Sequence, residues 1–311
     1  MPARLIVYPP EAAAISRWIP AGSRLRIGRD PACELRIDHA SVSRQHAELV
    51  HDEEGWRLLD LGSKNGSHVD GIQVAQALLD RSEGWLRFGD VLCEFSLHDD
   101  DDARAWQERE RERRALSAAW TRRLEAGAAP ATVLGVADAA DDNAAAGADL
   151  AGDILRGVVE LAGCSRGFVL LAQGEDFLVQ ASLSLEHDEL NARTFSGSIG
   201  AVQRCLRERQ PVVVNWIDDD PWLAQRSSVV TGGLQSLVCL PLLHAGRVLG
   251  AVYADRRGAG EAISQFDMEL LAAFADSAAL WLLAQRAFDA LKPAATPLPW
   301  ARVVGAQAAS S

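Results

Sequence analysis

Residues 24–66 read RLRIGRDPACELRIDHASVSRQHAELVHDEEGWRLLDLGSKNG. Within this stretch, residues 24–27, 34–37, 47–50 and 56–59 are short and mostly alternate apolar with polar side chains. That is the period-two signature of strands with one buried face. Turn-forming segments separate them: Gly28-Arg29-Asp30, Ser43-Arg44-Gln45-His46 and Asp60-Leu61-Gly62-Ser63-Lys64-Asn65-Gly66. Working outward, residues 5–8 and 91–95 repeat the strand pattern, and no helix-period stretch interrupts residues 4–97. Many short strands between Gly, Pro, Asn and Asp turns predict an all-β sandwich over residues 1–98.

The three turn segments carry cationic and hydrogen-bonding side chains in a fixed order: Gly28-Arg29, then Ser43-Arg44-Gln45-His46, then Ser63-Lys64-Asn65-Gly66, followed by Phe88-Gly89-Asp90. In that order and spacing they resemble the forkhead-associated (FHA) family across residues 4–97. The resemblance implies a reader of phosphothreonine peptides, with Arg29, Ser43, Arg44, Lys64 and Asn65 as the peptide-binding residues and Gly28, His46 and Gly66 as structural ones. The chemistry of the residues agrees. A phosphothreonine carries about −1.5 to −2 charges and three acceptor oxygens. The planar fork of Arg29 suits two of those oxygens, and the Ser43 hydroxyl can donate to another. Arg44 and Lys64 add positive charge, Lys64 standing where the family often has Ser or Thr. Asn65 has both a donor and an acceptor for the main chain of an extended peptide.

Beyond His98 the composition changes. Asp99 to Asp102 lead into an Arg/Glu-rich segment, a helix predicted from about Ala103 to Leu124. Its polar middle reads as a solvated connector, while Leu116, Trp120 and Leu124, four residues apart, allow a dimerising helix. Residues 126–148 are Ala/Gly/Asp-rich and read as a flexible linker, so residues 99–148 form the connector. Thr121 and Thr132 lie there, and phosphorylation of either could dock the connector onto the sandwich.

Residues 149–291 alternate helical and strand patterns: a helix over 149–162, strands at 167–171 and 177–181, a helix over 198–209, and strands at 211–214, 236–241 and 248–253. A long last helix is capped by Ser264 with Asp267 three residues on. This predicts an α+β domain whose helices lie on one side of an antiparallel sheet. Residues 198–202, 210–214, 218–221, 236–242 and 246–253, with the last helix from Phe266, resemble the GAF family of small-molecule-sensing domains. The resemblance implies a fold more than a ligand. The Asn-Lys and Phe-x-x-x-Asp-Glu pattern of cyclic-nucleotide members is missing, Cys205 is followed by Leu206 rather than by a bilin-binding histidine, and His187 and His244 lack metal-ligand spacing. No cofactor or metal is assigned. The wide apolar stripe of the last helix suggests a homodimer, since Leu271, Ala278 and Leu282 broaden the row of Phe266, Leu270, Phe274, Trp281 and Phe288. The tail after Pro293 reads as disordered.

The 311 residues carry a net charge of −12, with 11 basic and 14 acidic side chains over residues 1–98. No basic stripe is present to neutralise many phosphates, which argues against a nucleic-acid partner. No apolar run suits a membrane span or a signal peptide. Five scattered cysteines with no Cys-x-x-Cys fit a reduced cytoplasm. The expectation is therefore a non-enzymatic cytoplasmic adaptor of bacterial type. It binds a threonine-phosphorylated protein made by a Ser/Thr kinase, while its GAF-like domain dimerises or senses a ligand. Two alternatives stand beside it. One is a partner-mediated role in transcription, as the sequence has no P-loop and only about twenty residues after the last helix. The other is a methionine sulfoxide reductase of GAF fold using Cys164, Cys205 or Cys239.

Overall fold

The computed structural model describes residues 1–128, 142–174, 176–185, 198–215 and 234–291. Eleven strands make the N-terminal half: β1 (Ala3–Tyr8), β2 (Ile15–Ile19), β3 (Arg24–Gly28), β4 (Leu35–Arg36), β5 (Ala47–Asp52), β6 (Gly55–Asp60), β7 (Ser67–Val69), β8 (Ile72–Val74), β9 (Gln76–Leu79), β10 (Glu83–Phe88) and β11 (Val91–Leu97). They form a sandwich of two sheets, ordered β2-β1-β11-β10-β7-β8 and β4-β3-β5-β6-β9. The alternation in the sequence marks the inner face: Leu5, Ile27, Leu49, Leu58, Phe88 and Phe95 are fully buried in one core. Strands β2 and β7–β10 add to the predicted set. Gly84 weakens the strand signal inside β10, and β7 to β9 are only three or four residues long.

Four connections gather at one end of the sandwich. The Arg29 N–H donates to the Ser43 carbonyl (2.9 Å), Leu61 N–H to the His46 carbonyl (2.9 Å), and Gly89 N–H to the Gly66 carbonyl (3.3 Å). Backbone hydrogen bonds between loops fix their relative positions without spending any side chain.

The C-terminal half is an antiparallel sheet, ordered β13-β12-β16-β15-β14, from β12 (Arg166–Gln173), β13 (Asp176–Leu183), β14 (Val212–Asn215), β15 (Ser236–His244) and β16 (Arg247–Arg256). Helices α2 (Asp142–Leu161) and α4 (Gln265–Leu291) cover one face; α3 (Ile199–Glu208) covers the other. This corrects the expectation that all helices share one side. The reason is visible in β15, whose first seven residues are buried without alternation, as befits a strand covered on both faces. Val238, Leu240 and Leu242 face α2 and α4, whereas Leu237 and Cys239 face α3. At the start of α4, Ser264 and Asp267 form the expected reciprocal cap: Asp267 N–H donates to Ser264 Oγ (3.2 Å) and Ser264 N–H to Asp267 Oδ2 (2.9 Å).

Helix α1 (Asp100–Ala128) is exposed over much of its first half, but its Leu116, Trp120 and Leu124 stripe is covered within the chain. It packs onto α2 and α4, with Leu124 fully buried and Leu116 and Trp120 against the same core. Polar ties reinforce this. Arg113 reaches Asp267 (2.9 Å) and the Leu161 carbonyl (2.6 Å), Trp120 Nε1–H donates to Glu160 (2.9 Å), and Arg123 pairs with the buried Asp153 (3.0 Å). So α1 covers part of the broad apolar stripe on α4 that suggested a dimer. Thr121 lies inside α1 with its hydroxyl donating to the Ser117 carbonyl (3.1 Å), a poor substrate for extended-peptide docking. Helix α2 begins at Asp142, inside the segment read as linker. Thr132, His187, residues 218–221, the side chain of Phe288 and the tail lie outside the described residues.

The turn between β1 and β2 also joins the halves. Ala14 N–H donates to the Ile263 carbonyl (2.9 Å), Gln265 N–H donates to the Ala14 carbonyl (2.8 Å), and Ala13 is buried in the C-terminal core. If α1 is part of that core, Leu124→Ala costs about 2–5 kcal/mol of unfolding free energy in urea titration. A helix merely bathed in solvent loses about 0.5 kcal/mol or less at such a site.

Candidate functional site

At the loop end of the sandwich, Arg29, Ser43, Arg44, Lys64 and Asn65 line one cleft of about 630 Å³ together with Asp30, Ser41 and Gln45. All five residues that the sequence nominates for peptide binding are therefore brought together. Gly28, His46 and Gly66 lie beneath it, not on its wall. Gly28 is needed because a Cβ there would lie 2.2 Å from the Arg44 carbonyl oxygen, so any side chain would push the loop outward. Gly66 has φ +77°, in the left-handed region where glycine is unstrained.

His46 joins the loops. Its Nδ1 accepts the Ser43 N–H (3.0 Å), so the ring hydrogen sits on Nε2, which donates to the Gly66 carbonyl (3.2 Å). The ring is fully buried with its edge toward Phe88, and burial lowers its pKa below the ordinary 6.5. Because the folded pKa is depressed, the unfolded chain binds the proton first as pH falls. The contribution of His46 is thus complete above about pH 6.5 and lost on acidification below it. An NMR titration of the imidazole nitrogens is expected to show the Nε2–H tautomer at pH 7 and a midpoint below 6.5. A ring carrying its hydrogen on Nδ1 contradicts the assignment.

Two residues, Asp60 behind the cleft and Ser41 on its wall, have roles that the motif does not name. Asp60 accepts the Gly62 and Ser63 N–H groups (2.9 and 2.8 Å) and the Ser63 and Ser67 hydroxyls (2.7 and 2.6 Å). Burial pushes its pKa up, but those bonds outweigh burial and hold it below the usual range. Asp followed two residues later by Gly is an Asx-turn signal that could have found it. Ser41 accepts the Asp90 N–H on its hydroxyl (2.8 Å) and the Asn65 amide on its carbonyl (2.7 Å). Nothing local in the sequence marks it.

The wall is set for an anion. Lys64 N–H donates to Ser43 Oγ (3.0 Å), which leaves the hydroxyl hydrogen to donate elsewhere. Arg29 spends only its Nε, on the Val42 carbonyl (3.4 Å). Arg29, Arg44 and Lys64 are exposed, and none has an ion-pair partner among the described residues. Asp30, which also lines the cleft, is turned to the Ala32 N–H (2.9 Å). Three cations against one carboxylate leave a local excess of positive charge on an acidic protein.

Comparison with known proteins matches an FHA domain at residues 25–92 and a GAF domain at residues 148–282. The chain carries an FHA domain followed by a GAF domain. Similar proteins include the glycogen accumulation regulator GarA of Mycobacterium tuberculosis, 34% identical over 80 residues, 23% of this chain and 49% of GarA. The angiogenic factor with G patch and FHA domains 1 of Homo sapiens is 33% identical over 87 residues, 24% of this chain and 12% of that protein. The chain thus spans half or less of the length of these relatives. Among solved structures, the FHA domain of the CT664 protein from Chlamydia trachomatis is 24% identical, covers 31% of this chain and 99% of that one, and has a TM-score of 0.27.

In the GAF domain the thiols of Cys205 and Cys239 sit inside the core and that of Cys164 at its edge. Cys205 and Cys239 are fully buried, and the Cys205 thiol donates to the Cys239 carbonyl (3.5 Å). The Cys205 hydrogen bond and burial raise Cys239 well above an ordinary thiol, and burial pushes Cys164 up to about 12. A nucleophilic cysteine needs the opposite shift. On the α3 face, buried Asp255 holds Arg166 through two hydrogen bonds (2.5 and 3.0 Å) and accepts the Tyr253 hydroxyl (2.7 Å). Tyr253 in turn accepts the Ser198 N–H at the start of α3 (3.1 Å) and stacks on Phe168. This network anchors α3 to the middle of the sheet.

Proposed function

We propose that this chain is a non-enzymatic signalling adaptor whose FHA domain binds threonine-phosphorylated partner proteins. The observation that carries the reading is the convergence of five side chains from three loops on one cleft, whose wall holds three cations with no ion-pair partner among the described residues. In this reading Arg29 and Ser43 hold the phosphate. Arg44 and Lys64 supply long-range attraction, and Asn65, oriented by the Ser41 carbonyl, pairs with the peptide main chain. The reader comprises residues 1–98, and residues 149–291 form the GAF domain, to which α1 is packed. The partner is the product of a Ser/Thr kinase, and the cytoplasm is the compartment where kinase and five free thiols coexist. The likeness to GarA, a glycogen accumulation regulator, supports a regulatory rather than a catalytic part.

A fluorescence-polarisation screen tests this with degenerate peptide pools carrying phosphothreonine, phosphoserine or threonine at the central position. The phosphothreonine pool is expected to bind. Equal signals from phosphorylated and unphosphorylated pools would remove the proposal.

A further inference from the structure

A second cleft, of about 580 Å³, opens where the sandwich, α1 and the segment leading into α4 meet. It lies within the size range of small-molecule sites. Its walls come from three parts of the chain: Arg4 and Glu94 from the outer face of β1 and β11, Trp106 and Arg109 from α1, and Glu261 and Phe266 from the GAF side. Its charges are only partly neutralised within the protein. Glu261 and Glu94 both act electrostatically on the Arg4 guanidinium, yet neither forms an ion pair with it among the described residues. Arg109 likewise has no carboxylate partner among them; it and Arg4 lie over the Trp106 ring, 5.4 and 3.9 Å from its centroid. Glu94 has one fixed bond, from the Tyr8 hydroxyl (2.9 Å). In the same wall, Arg113 turns its terminal nitrogen to Asp267, while its Nε is buried with no hydrogen-bond partner.

Apart from the Arg113–Asp267 pair, the opposite charges that share this cavity stand apart, and beside two aromatic rings they select against simple ions of either sign. An anion meets the glutamates and a cation meets the arginines. A molecule carrying both charges satisfies both sets. We propose that this junction is a binding site for a small zwitterion with an apolar side chain, an α-amino acid. The carboxylate pairs with Arg4 and Arg109, the ammonium with Glu94 or Glu261, and the side chain lies against Trp106 and Phe266. Since those groups belong to both domains and to α1, the bound molecule holds the FHA and GAF domains in their docked arrangement. This site is separate from the phosphopeptide cleft and does not depend on that reading.

The experiment is a thermal-shift screen of the full chain against each proteinogenic L-amino acid, followed by calorimetry on any that raise the melting temperature. The same amino acids blocked as N-acetyl and as amide derivatives serve as probes of each charge. Binding is expected from one or more amino acids with aromatic or branched side chains and from neither blocked form. Arg109→Ala and Glu261→Gln, both at exposed positions, are expected to weaken it at least tenfold while Arg29→Ala leaves it unchanged. The proposal fails if no amino acid shifts the melting temperature, if a blocked form binds as well as its parent, or if both junction variants bind like the wild type.

Discussion

Replacing Arg29 by alanine is expected to weaken phosphothreonine-peptide binding by about 100-fold while leaving thermal stability within about 0.5 kcal/mol of the wild type. The size follows from what the guanidinium contributes. A charge-assisted hydrogen bond is worth about 1.5–3 kcal/mol, and the fork makes two to one phosphate. Even at the low end the pair comes to about 3 kcal/mol, or about two decades in affinity. The stability half follows from the free structure, where Arg29 is exposed and makes one long bond to the Val42 carbonyl. Arg29→Lys keeps the charge but loses the planar fork, so it falls between the two. Arg44→Ala and Lys64→Ala, acting through a screened field, are expected to cost about 1 kcal/mol or less each. Calorimetry of all four variants against one peptide checks the ranking; equal losses at Arg29 and Arg44 would contradict the assigned roles.

The second large effect lies in the GAF domain. Asp255→Ala is expected to destabilise it by about 3–5 kcal/mol, read from urea unfolding. Asp255 is fully buried, balances the charge of the buried Arg166, and accepts the Tyr253 hydroxyl that holds the start of α3. Removing the carboxylate keeps the guanidinium in a low-dielectric setting without its balancing charge, which is costlier than never having built the pair. Set against typical domain stabilities of about 5–15 kcal/mol, this loss leaves little margin. Loss of under 1 kcal/mol would mean that the network is incidental to the fold.

The sandwich is legible in the sequence because its strands alternate: Leu25 and Ile27, either side of the exposed Arg26, mark the buried face by their spacing alone. The cleft residues are legible because loop chemistry is local. A glycine that must admit a carbonyl, a histidine that ties two loops and an arginine fork each leave a mark at a fixed place in the sequence. The role of α1 is not legible. Its Arg/Glu surface dilutes the Leu116, Trp120 and Leu124 stripe, and what those residues meet on α2 and α4 lies, among the described residues, at least 26 positions away in the chain. Ser41 escapes notice for a related reason: it works through its carbonyl and hydroxyl toward Asn65 and Asp90, and a serine in a turn carries no sign of distant partners. The zwitterion cleft needs three segments at once, so no single stretch hints at it.

The most direct test of the phosphopeptide reading is a crystal structure of the chain with a bound phosphothreonine peptide. The phosphate oxygens are expected about 3 Å from the Arg29 guanidinium and the Ser43 hydroxyl, with Asn65 hydrogen-bonded to the peptide main chain. A peptide seated on any other surface, with residues 29, 43 and 65 still facing solvent, would contradict it.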